Sequence, residues 1–197
     1  MTDPTGVRVD VWWADLRSAD VALAERLPPV ERARALEPGR PGDRGRRLVA
    51  AALLQEAVAA ARGLDGGQVL GRGEDQVVGP FEIDRTCEEC GKQHGRPVVA
   101  GGPHLSVAHA GLLVVVATCW DAPVGVDVER VDRFGDDGGA QEALAWTARE
   151  ALVKAGGGPD RRTLRIEPPL SGYVATVAVL SAAGVALTAR RVEANGA

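Results

Sequence analysis

The chain has 197 residues, of which 45% are hydrophobic and 25% charged, a balance typical of a globular protein that folds in water. Its net charge of −4 argues against a general nucleic-acid binder, although basic side chains can still gather in one groove. Three cysteines, the lack of a signal-peptide pattern and the lack of any apolar stretch of about 20 residues argue against a secreted disulfide framework and a membrane-spanning helix. We therefore expect a cytoplasmic protein.

The first third of the chain is predicted to form one strand and two helical segments. Apolar and polar residues alternate over 7–13, which predicts a strand. Residues 20–36 have a helical pattern that a Pro-Pro pair divides in two. After a loop rich in proline and glycine, Asp43 precedes a long helix rich in alanine and leucine, over 44–62, which Gly63 ends.

Three arginines stand at the start of this long helix: Arg44, Arg46 and Arg47. Positive charge at a helix N-terminus opposes the helix dipole, so a functional reason is favoured weakly over chance. Arginine binds phosphate through two parallel hydrogen bonds. Two interpretations therefore stay open, a solvated basic turn and a phosphate clamp.

A cysteine pair follows a glycine-rich segment. Residues 64–86 are predicted to form turns around one or two short strands. Cys87, Cys90 and His94 are three residue types that bind zinc, and His104 is a possible fourth ligand. The alternative is a reduced thiol pair in a loop.

The middle of the chain is predicted to form a three-stranded meander. A turn at 94–97 leads to strands over 105–109, 112–119 and 124–129. His109 lies at the first hairpin turn of this meander. A histidine in that place is either a structural hydrogen-bonding residue or a site residue.

The remainder is predicted to add one helix and two paired strands. The helix begins near Gln141 and includes Lys154, and Trp146 is expected to pack it against the core. The strands cover 173–180 and 184–192. Each half of the chain then has the order strand, helix, paired strands, which is a weak internal symmetry.

An acidic pattern connects the last predicted strand of the meander to this helix. On a strand, Asp127 and Glu129 share one face, while the valines between and beside them take the other. Glu150 and Lys154 lie one helical turn apart. If the helix packs beside the strand end, three carboxylates converge, a donor set suited to Mg²⁺, with Lys154 placed to meet a phosphate. The alternative is a solvated strand face and a surface ion pair.

Four motifs follow one another in the chain: His-Gly-Arg-Pro (94–97), Leu-Ser-Val-Ala-His-Ala-Gly (105–111), Gly-Val-Asp-Val-Glu (125–129) and Trp-Thr-Ala-Arg-Glu-Ala-Leu-Val-Lys (146–154). In this order they resemble the 4′-phosphopantetheinyl transferase family, of the Sfp type. The resemblance covers about residues 28 to 190 and is strong from Gly95 to Lys154. Four ordered motifs are far more specific than any one alone.

The resemblance implies an α+β fold of two pseudo-symmetric α/β lobes, 1–122 and 123–197, with the active site in the cleft between them. It implies a monomeric enzyme that needs Mg²⁺ and uses coenzyme A as co-substrate. Such an enzyme transfers the 4′-phosphopantetheine arm to a serine of an acyl carrier protein or peptidyl carrier protein and releases 3′,5′-ADP. No nucleic acid or membrane is implied as a partner.

The resemblance also implies roles for particular residues. Mg²⁺ would be held by Asp127, Glu129 and Glu150. The catalytic residues would be Asp127, Glu150 and Lys154, with Glu150 taking the proton of the carrier serine directly or through water. Coenzyme A would be contacted by Asp43, Arg46, Arg96, His109 and Lys154, and less clearly by Arg34.

The sequence departs from the family in two places. His109 is flanked by Ala108 and Ala110, where the family has serines. Only 20 residues, Arg130 to Arg149, separate Glu129 from Glu150, about half the usual number. These departures leave open a coenzyme A-binding relative that has lost carrier transfer or serves other natural-product chemistry. A further alternative is a structural or zinc-stapled interaction module, which would bind zinc and not coenzyme A.

Overall fold

The computed structural model describes residues 6–64, 81–135 and 138–192, and these form a mixed α+β protein with three α-helices and three sheets. This confirms the predicted α+β class. The α-helices are α1 (Pro29–Ala35), α2 (Pro41–Ala61) and α3 (Gly139–Ala155). The strands are β1 (Val7–Asp15), β2 (Ile83–Thr86), β3 (Gln93–Val99), β4 (His104–Ala110), β5 (Leu113–Cys119), β6 (Val124–Arg130), β7 (Arg162–Ile166), β8 (Tyr173–Val179) and β9 (Val185–Arg191). Among the described residues, no helix combines the length and apolarity needed to cross a membrane.

The largest sheet has the strand order β4-β5-β1-β9. Its centre is antiparallel, with Trp12 of β1 opposite Val116 of β5. The last strand, β9, joins β1 in parallel, with Leu187 beside Val9. A second sheet has the order β6-β8-β7, and β2 and β3 form a separate hairpin.

The core follows from the alternation of side chains along β1. Val9, Val11 and Trp13 belong to an apolar cluster that also includes the buried valines of β6 and β8. Trp12 and Ala14 point the other way, into a cluster with the buried face of α2. Every residue of β5 is buried, because both of its faces are covered. The edge strands β4 and β6 are linked by a buried hydrogen bond of 3.0 Å, donated by the N–H of Val126 to Ser106 Oγ.

The helical segments follow the local sequence signals. The Pro28-Pro29 pair divides the predicted helix 20–36 into a short 3₁₀ helix, Val21–Arg26, and α1. Helix α2 begins at Pro41, three residues before its predicted start, because proline suits the first turn of a helix. Asp43 is therefore inside the first turn instead of preceding the helix.

Helix α3 lies very close to β6, and a glycine permits this contact. A Cβ atom added at Gly125 would be 1.9 Å from the carbonyl oxygen of Ala151 and 2.7 Å from the nitrogen of Ala155. Ala151, Ala155 and Ala178 form a small apolar cluster at the same interface. Small residues on both sides thus bring the helix bearing Glu150 and Lys154 against the strand bearing Asp127.

The structure corrects four predictions about the elements. Residues 94–97 are part of strand β3 and not a turn. The predicted meander is confirmed for its first two strands, since β4 pairs with β5, and is wrong for the third, since β6 pairs with β8 and not with β5. The strands predicted at 173–180 and 184–192 exist but are not paired with each other, because β9 crosses to β1. The short strand β7 was missed, because residues 162–166 are mostly exposed and lack a buried apolar pattern.

Replacing Gly125 by alanine should destabilise the protein strongly. The new methyl group would overlap the backbone of α3, and overpacking of this kind typically costs 1–3 kcal/mol or more. We expect a loss of at least about 2 kcal/mol in the free energy of unfolding, measured in urea. Gly184→Ala is the matched control, since a Cβ there meets nothing within 4 Å. Equal stability of the two variants would contradict the close packing of α3 on β6.

Candidate functional site

A cavity of about 230 Å³ lies where α1, α2, β2, β4, β6 and α3 meet. Four of its lining residues are arginine or lysine and two are aspartate or glutamate, so basic side chains outnumber acidic ones in the lining. The lining residues are Arg34, Arg47, Ala50, Arg85, Val107, Ala108, His109, Asp127, Val128, Glu129 and Lys154. A positive cavity that also contains carboxylates can accommodate an anion together with a metal cation.

The alternation predicted for β6 is confirmed. Val126 and Val128 are buried in the apolar cluster that spans the two sheets. Asp127 points to the opposite face and is 7% exposed. Its Oδ1 accepts a hydrogen bond of 2.7 Å from Lys154 Nζ, and Lys154 also donates to the carbonyl oxygen of Val126 at 3.2 Å.

The other carboxylate oxygen of Asp127 is buried and has no hydrogen-bonding partner among the residues that the structure describes. Burial raises the pKa of Asp127, and the nearby negative charges of Glu129 and Glu150 raise it further, while Lys154 lowers it. A buried carboxylate oxygen without a donor is costly unless a cation or a proton meets it. This oxygen is the strongest indication of a cation site in the cavity.

The other two predicted metal ligands are near Asp127 but not gathered around one point. Glu129 accepts hydrogen bonds of 2.7 and 2.6 Å from Arg133 Nη1. Glu150 is half-buried on α3, and its charge acts on Asp127. Among the described residues, the three carboxylates do not form a group whose oxygens all lie within 4.8 Å of one another.

Two of the basic lining residues share one buried carboxylate. Glu31 is 1% exposed, and its oxygens accept hydrogen bonds from Arg34 at 3.2 Å and from Arg85 at 3.1 Å. Burial lowers the pKa of Arg85 to about 10, with a further contribution from Arg34, while Glu31 opposes the change. Two guanidinium groups and one carboxylate leave one net positive charge at this wall of the cavity.

The arginines at the start of α2 are divided between two positions. Arg47 lines the cavity and donates to the carbonyl oxygens of Ala35 and Glu37. Arg46, predicted to contact the coenzyme, is not among the lining residues; it forms an ion pair of 2.7 Å with Asp43. Asp43 and Arg46 thus lie together, as their predicted shared role requires, but beside the cavity instead of in its wall.

His109 and Arg96 also have different positions. His109 lines the cavity, and removal of its ring from water together with the charge of Arg46 lowers the pKa of the imidazole. Arg96 is outside the lining and donates to the carbonyl oxygen of Val124 at 3.4 Å. Burial lowers the pKa of Arg96 as well. The structure thus brings together His109, Asp127, Glu129 and Lys154 and leaves Arg96 apart.

Sequence reasoning missed Arg85 and misplaced Trp146. A signal for Arg85 existed, because the period of two along β2 puts it on the same buried face as Ile83.

Trp146 was expected in the core, but it is 40% exposed, beside Phe134 and under the guanidinium of Arg149. Its position on the outer face of α3 follows from the helix turning Ala143, Thr147 and Ala151 inward.

Comparison with models of protein families finds no match for this chain. Comparison with curated proteins finds none either. The functional argument therefore depends on the site itself.

The raised pKa of Asp127 predicts a pH dependence of stability. A carboxyl group whose folded pKa is raised stabilises the fold below its ordinary value of 3.8, and this contribution is lost as the pH rises through the folded pKa. Asp127→Asn should therefore gain stability relative to the wild type as the pH rises from about 4 toward neutrality. The free energy of unfolding in urea, measured at a series of pH values, checks this.

Asp84→Asn is a control of opposite sign. Hydrogen bonds from Thr86 lower the pKa of Asp84, so this carboxylate stabilises the fold above its ordinary pKa. The Asp84 variant should lose stability relative to the wild type as the pH rises toward about 4, and the difference should then stay nearly constant up to neutrality. If the stability of both variants relative to the wild type changes in the same direction as the pH rises, the account of the Asp127 pKa is wrong.

Arg85→Met should destabilise the protein far more than removal of an exposed arginine. Breaking a buried pair typically costs about 3–5 kcal/mol, and Arg34 still pairs with Glu31, so we expect about 2–3 kcal/mol. The matched control is Arg8→Met, because its pair with Asp10 is exposed and should contribute at most about 1 kcal/mol. Thermal or urea unfolding measures both, and similar losses in the two variants would contradict this account.

Proposed function

We propose that the protein transfers the 4′-phosphopantetheine arm of coenzyme A to a serine of an acyl carrier protein or peptidyl carrier protein, with Mg²⁺, and releases 3′,5′-ADP. The observation that supports this best is the cavity in which Asp127, with one buried carboxylate oxygen that has no partner among the described residues, lies among four basic side chains. A diphosphate with a bound cation satisfies both features at once, because its charge needs basic side chains and its metal needs carboxylates. The four ordered sequence motifs point to the same chemistry.

The basic lining provides the anion-binding half of the site. Arg47 and the Arg34–Arg85 pair contribute guanidinium groups suited to bidentate phosphate contacts. Lys154 contributes a compact charge next to Asp127. His109 is kept neutral by its lowered pKa and can gain a proton when a phosphate dianion arrives beside it. Asp43, Arg46 and Arg96 are proposed to contact parts of coenzyme A that extend beyond the cavity.

The acidic residues provide the cation-binding half. Asp127, Glu129 and Glu150 would hold Mg²⁺, and the donor chemistry fits, because all three are carboxylates and the buried oxygen of Asp127 needs a positive partner. Binding by Glu129 competes with its ion pair to Arg133. When bound, Mg²⁺ neutralises the diphosphate and stabilises the departing phosphate oxygen.

The chain's own groups have distinct tasks in the transfer. Glu150 accepts the proton of the carrier serine, whose oxygen forms a new bond to the β-phosphorus of coenzyme A. The bond from that phosphorus to the bridging oxygen breaks, and the electron pair leaves with 3′,5′-ADP. Lys154 offsets the charge that develops on the transferred phosphoryl group. No residue of the chain becomes covalently modified.

The wider architecture is part of the same proposal. Two pseudo-symmetric lobes, 1–122 and 123–197, would enclose the cleft in a cytoplasmic monomer that needs no nucleic acid or membrane. The short span from Arg130 to Arg149 would narrow the choice of carrier, because the family meets its carrier there.

The direct test is the intact mass of a panel of apo-carrier proteins after incubation with this protein, coenzyme A and Mg²⁺. We expect a gain of one phosphopantetheine on at least one carrier. Asp127→Asn should slow the transfer at least about 100-fold, since loss of a metal ligand removes several kcal/mol of transition-state stabilisation. Asp160→Asn, in an exposed loop, should leave the rate unchanged. Unchanged transfer by a folded Asp127 variant would refute the proposal.

A second candidate is a coenzyme A-binding relative without carrier transfer. The observation that favours it is the short segment before α3, together with alanines on both sides of His109. In that case calorimetry would detect coenzyme A binding while no carrier in the panel gains mass. Absence of both binding and transfer would remove both candidates.

A further inference from the structure

The tip of the β2–β3 hairpin holds a second cluster of potential ligands. The sulfur atoms of Cys87 and Cys90 and a ring nitrogen of His94 all lie within 4.8 Å of one another. Cys90 Sγ and His94 Nε2 are 2.9 Å apart. Among the described residues, this is the single group of three or more histidine, cysteine or acidic side chains with ligand atoms so close. None of the three lines the cavity described above.

Two backbone hydrogen bonds of Cys87 close the hairpin turn. The N–H of Gly91 donates to the carbonyl oxygen of Cys87, and the N–H of Cys87 donates to that of Lys92, both at 2.8 Å. Gly91 has a φ of 70°, a left-handed conformation that glycine adopts without steric cost. The neighbouring backbone N–H groups of Cys90 and Glu89 lower the pKa of the Cys87 thiol.

The distances suit a tetrahedral ion. Bonds of about 2.3 Å to sulfur and about 2.0 Å to nitrogen put the ligand atoms roughly 3.5–3.8 Å apart. The Cys90–His94 separation of 2.9 Å is shorter than this and the other two separations are at most 4.8 Å, so small side-chain rotations are enough to admit an ion. Two thiolates and one imidazole select zinc over Mg²⁺ or Ca²⁺, which prefer oxygen.

We propose that Cys87, Cys90 and His94 bind one zinc ion at the tip of the β2–β3 hairpin. His104, the fourth ligand considered from the sequence, is not in the cluster. The fourth coordination position is therefore open to water or another small ligand. Because Cys90 and His94 are exposed, the ion can exchange with the solvent.

The ion would stabilise the hairpin near the candidate site. The pairing of β2 with β3 shifts register between Asp84 and Thr86. The backbone hydrogen bonding between the two strands is therefore interrupted next to the hairpin tip. Arg85 precedes Cys87 by two residues and carries its buried ion pair to Glu31. Zinc at the tip would fasten the end of β2 to β3 and so help to fix Arg85.

The alternative chemistry for this cluster is a Cys87–Cys90 disulfide. Such a bond would need an oxidant and would leave His94 without a role. The 2.9 Å contact of His94 with Cys90 favours a shared ligand instead. Thiol counting under denaturing conditions separates the two, because a zinc site retains all three free thiols of the chain.

The experiment is metal analysis of the purified full chain, followed by Co²⁺ titration of the zinc-free protein. We expect one zinc per chain and a sulfur-to-cobalt charge-transfer band that zinc abolishes. His94→Gln and Cys90→Ser should weaken Co²⁺ binding at least about tenfold. The matched controls are His104→Gln and Cys119→Ser, which remove the same residue types outside the cluster and should keep wild-type affinity.

Three results would overturn the proposal. They are a wild-type protein without zinc and without a cobalt–thiolate band, a Cys87–Cys90 disulfide in freshly purified protein, and equal Co²⁺ affinity of the His94 and His104 variants. Circular dichroism shows whether each variant is folded. Because binding is read directly from the metal, the outcome is independent of coenzyme A binding and of carrier transfer.

Discussion

The candidate site depends on the ion pair that the buried carboxylate of Asp127 forms with Lys154. One oxygen is held by Lys154, and the other has no partner among the described residues. Burial, Glu129 and Glu150 raise the pKa of this group more than Lys154 lowers it, so its ionisation costs more than that of an exposed aspartate. A protein that needed only structure would be served better by an apolar residue at this position. The arrangement is explained most simply if a cation completes it.

Packing creates this arrangement before any ligand arrives. Gly125 lets α3 lie against β6, and this contact sets Lys154 beside Asp127. The hydrogen bond from Val126 to Ser106 holds β6 beside β4, and β4 places His109 in the same cavity. In another part of the lining, Arg34 and Arg85 both donate hydrogen bonds to the carboxylate of Glu31. The lining residues of the cavity are thus supplied by separate parts of the chain.

Local patterns predicted much of the fold and part of the site. The alternation at 126–129 placed Asp127 and Glu129 away from the core valines, and the helix pattern placed Lys154 one turn from Glu150, because both features depend on neighbours within one element. Such patterns do not predict which strands pair when they are distant in the sequence, so the parallel pairing of β9 with β1 was missed. Arg85 enters the site through an ion pair with a residue 54 positions away, a contact that only the folded chain defines. Residues 65–80, predicted as turns with short strands, lie outside the described residues.

The most direct test of the central claim is calorimetry of coenzyme A binding with and without Mg²⁺, for the wild type and for Asp127→Asn. If the cavity binds a diphosphate together with a cation, Mg²⁺ should raise the affinity of the wild type by at least about tenfold and leave that of the variant unchanged. Equal enhancement in both proteins, or no enhancement in the wild type, would contradict the role assigned to Asp127.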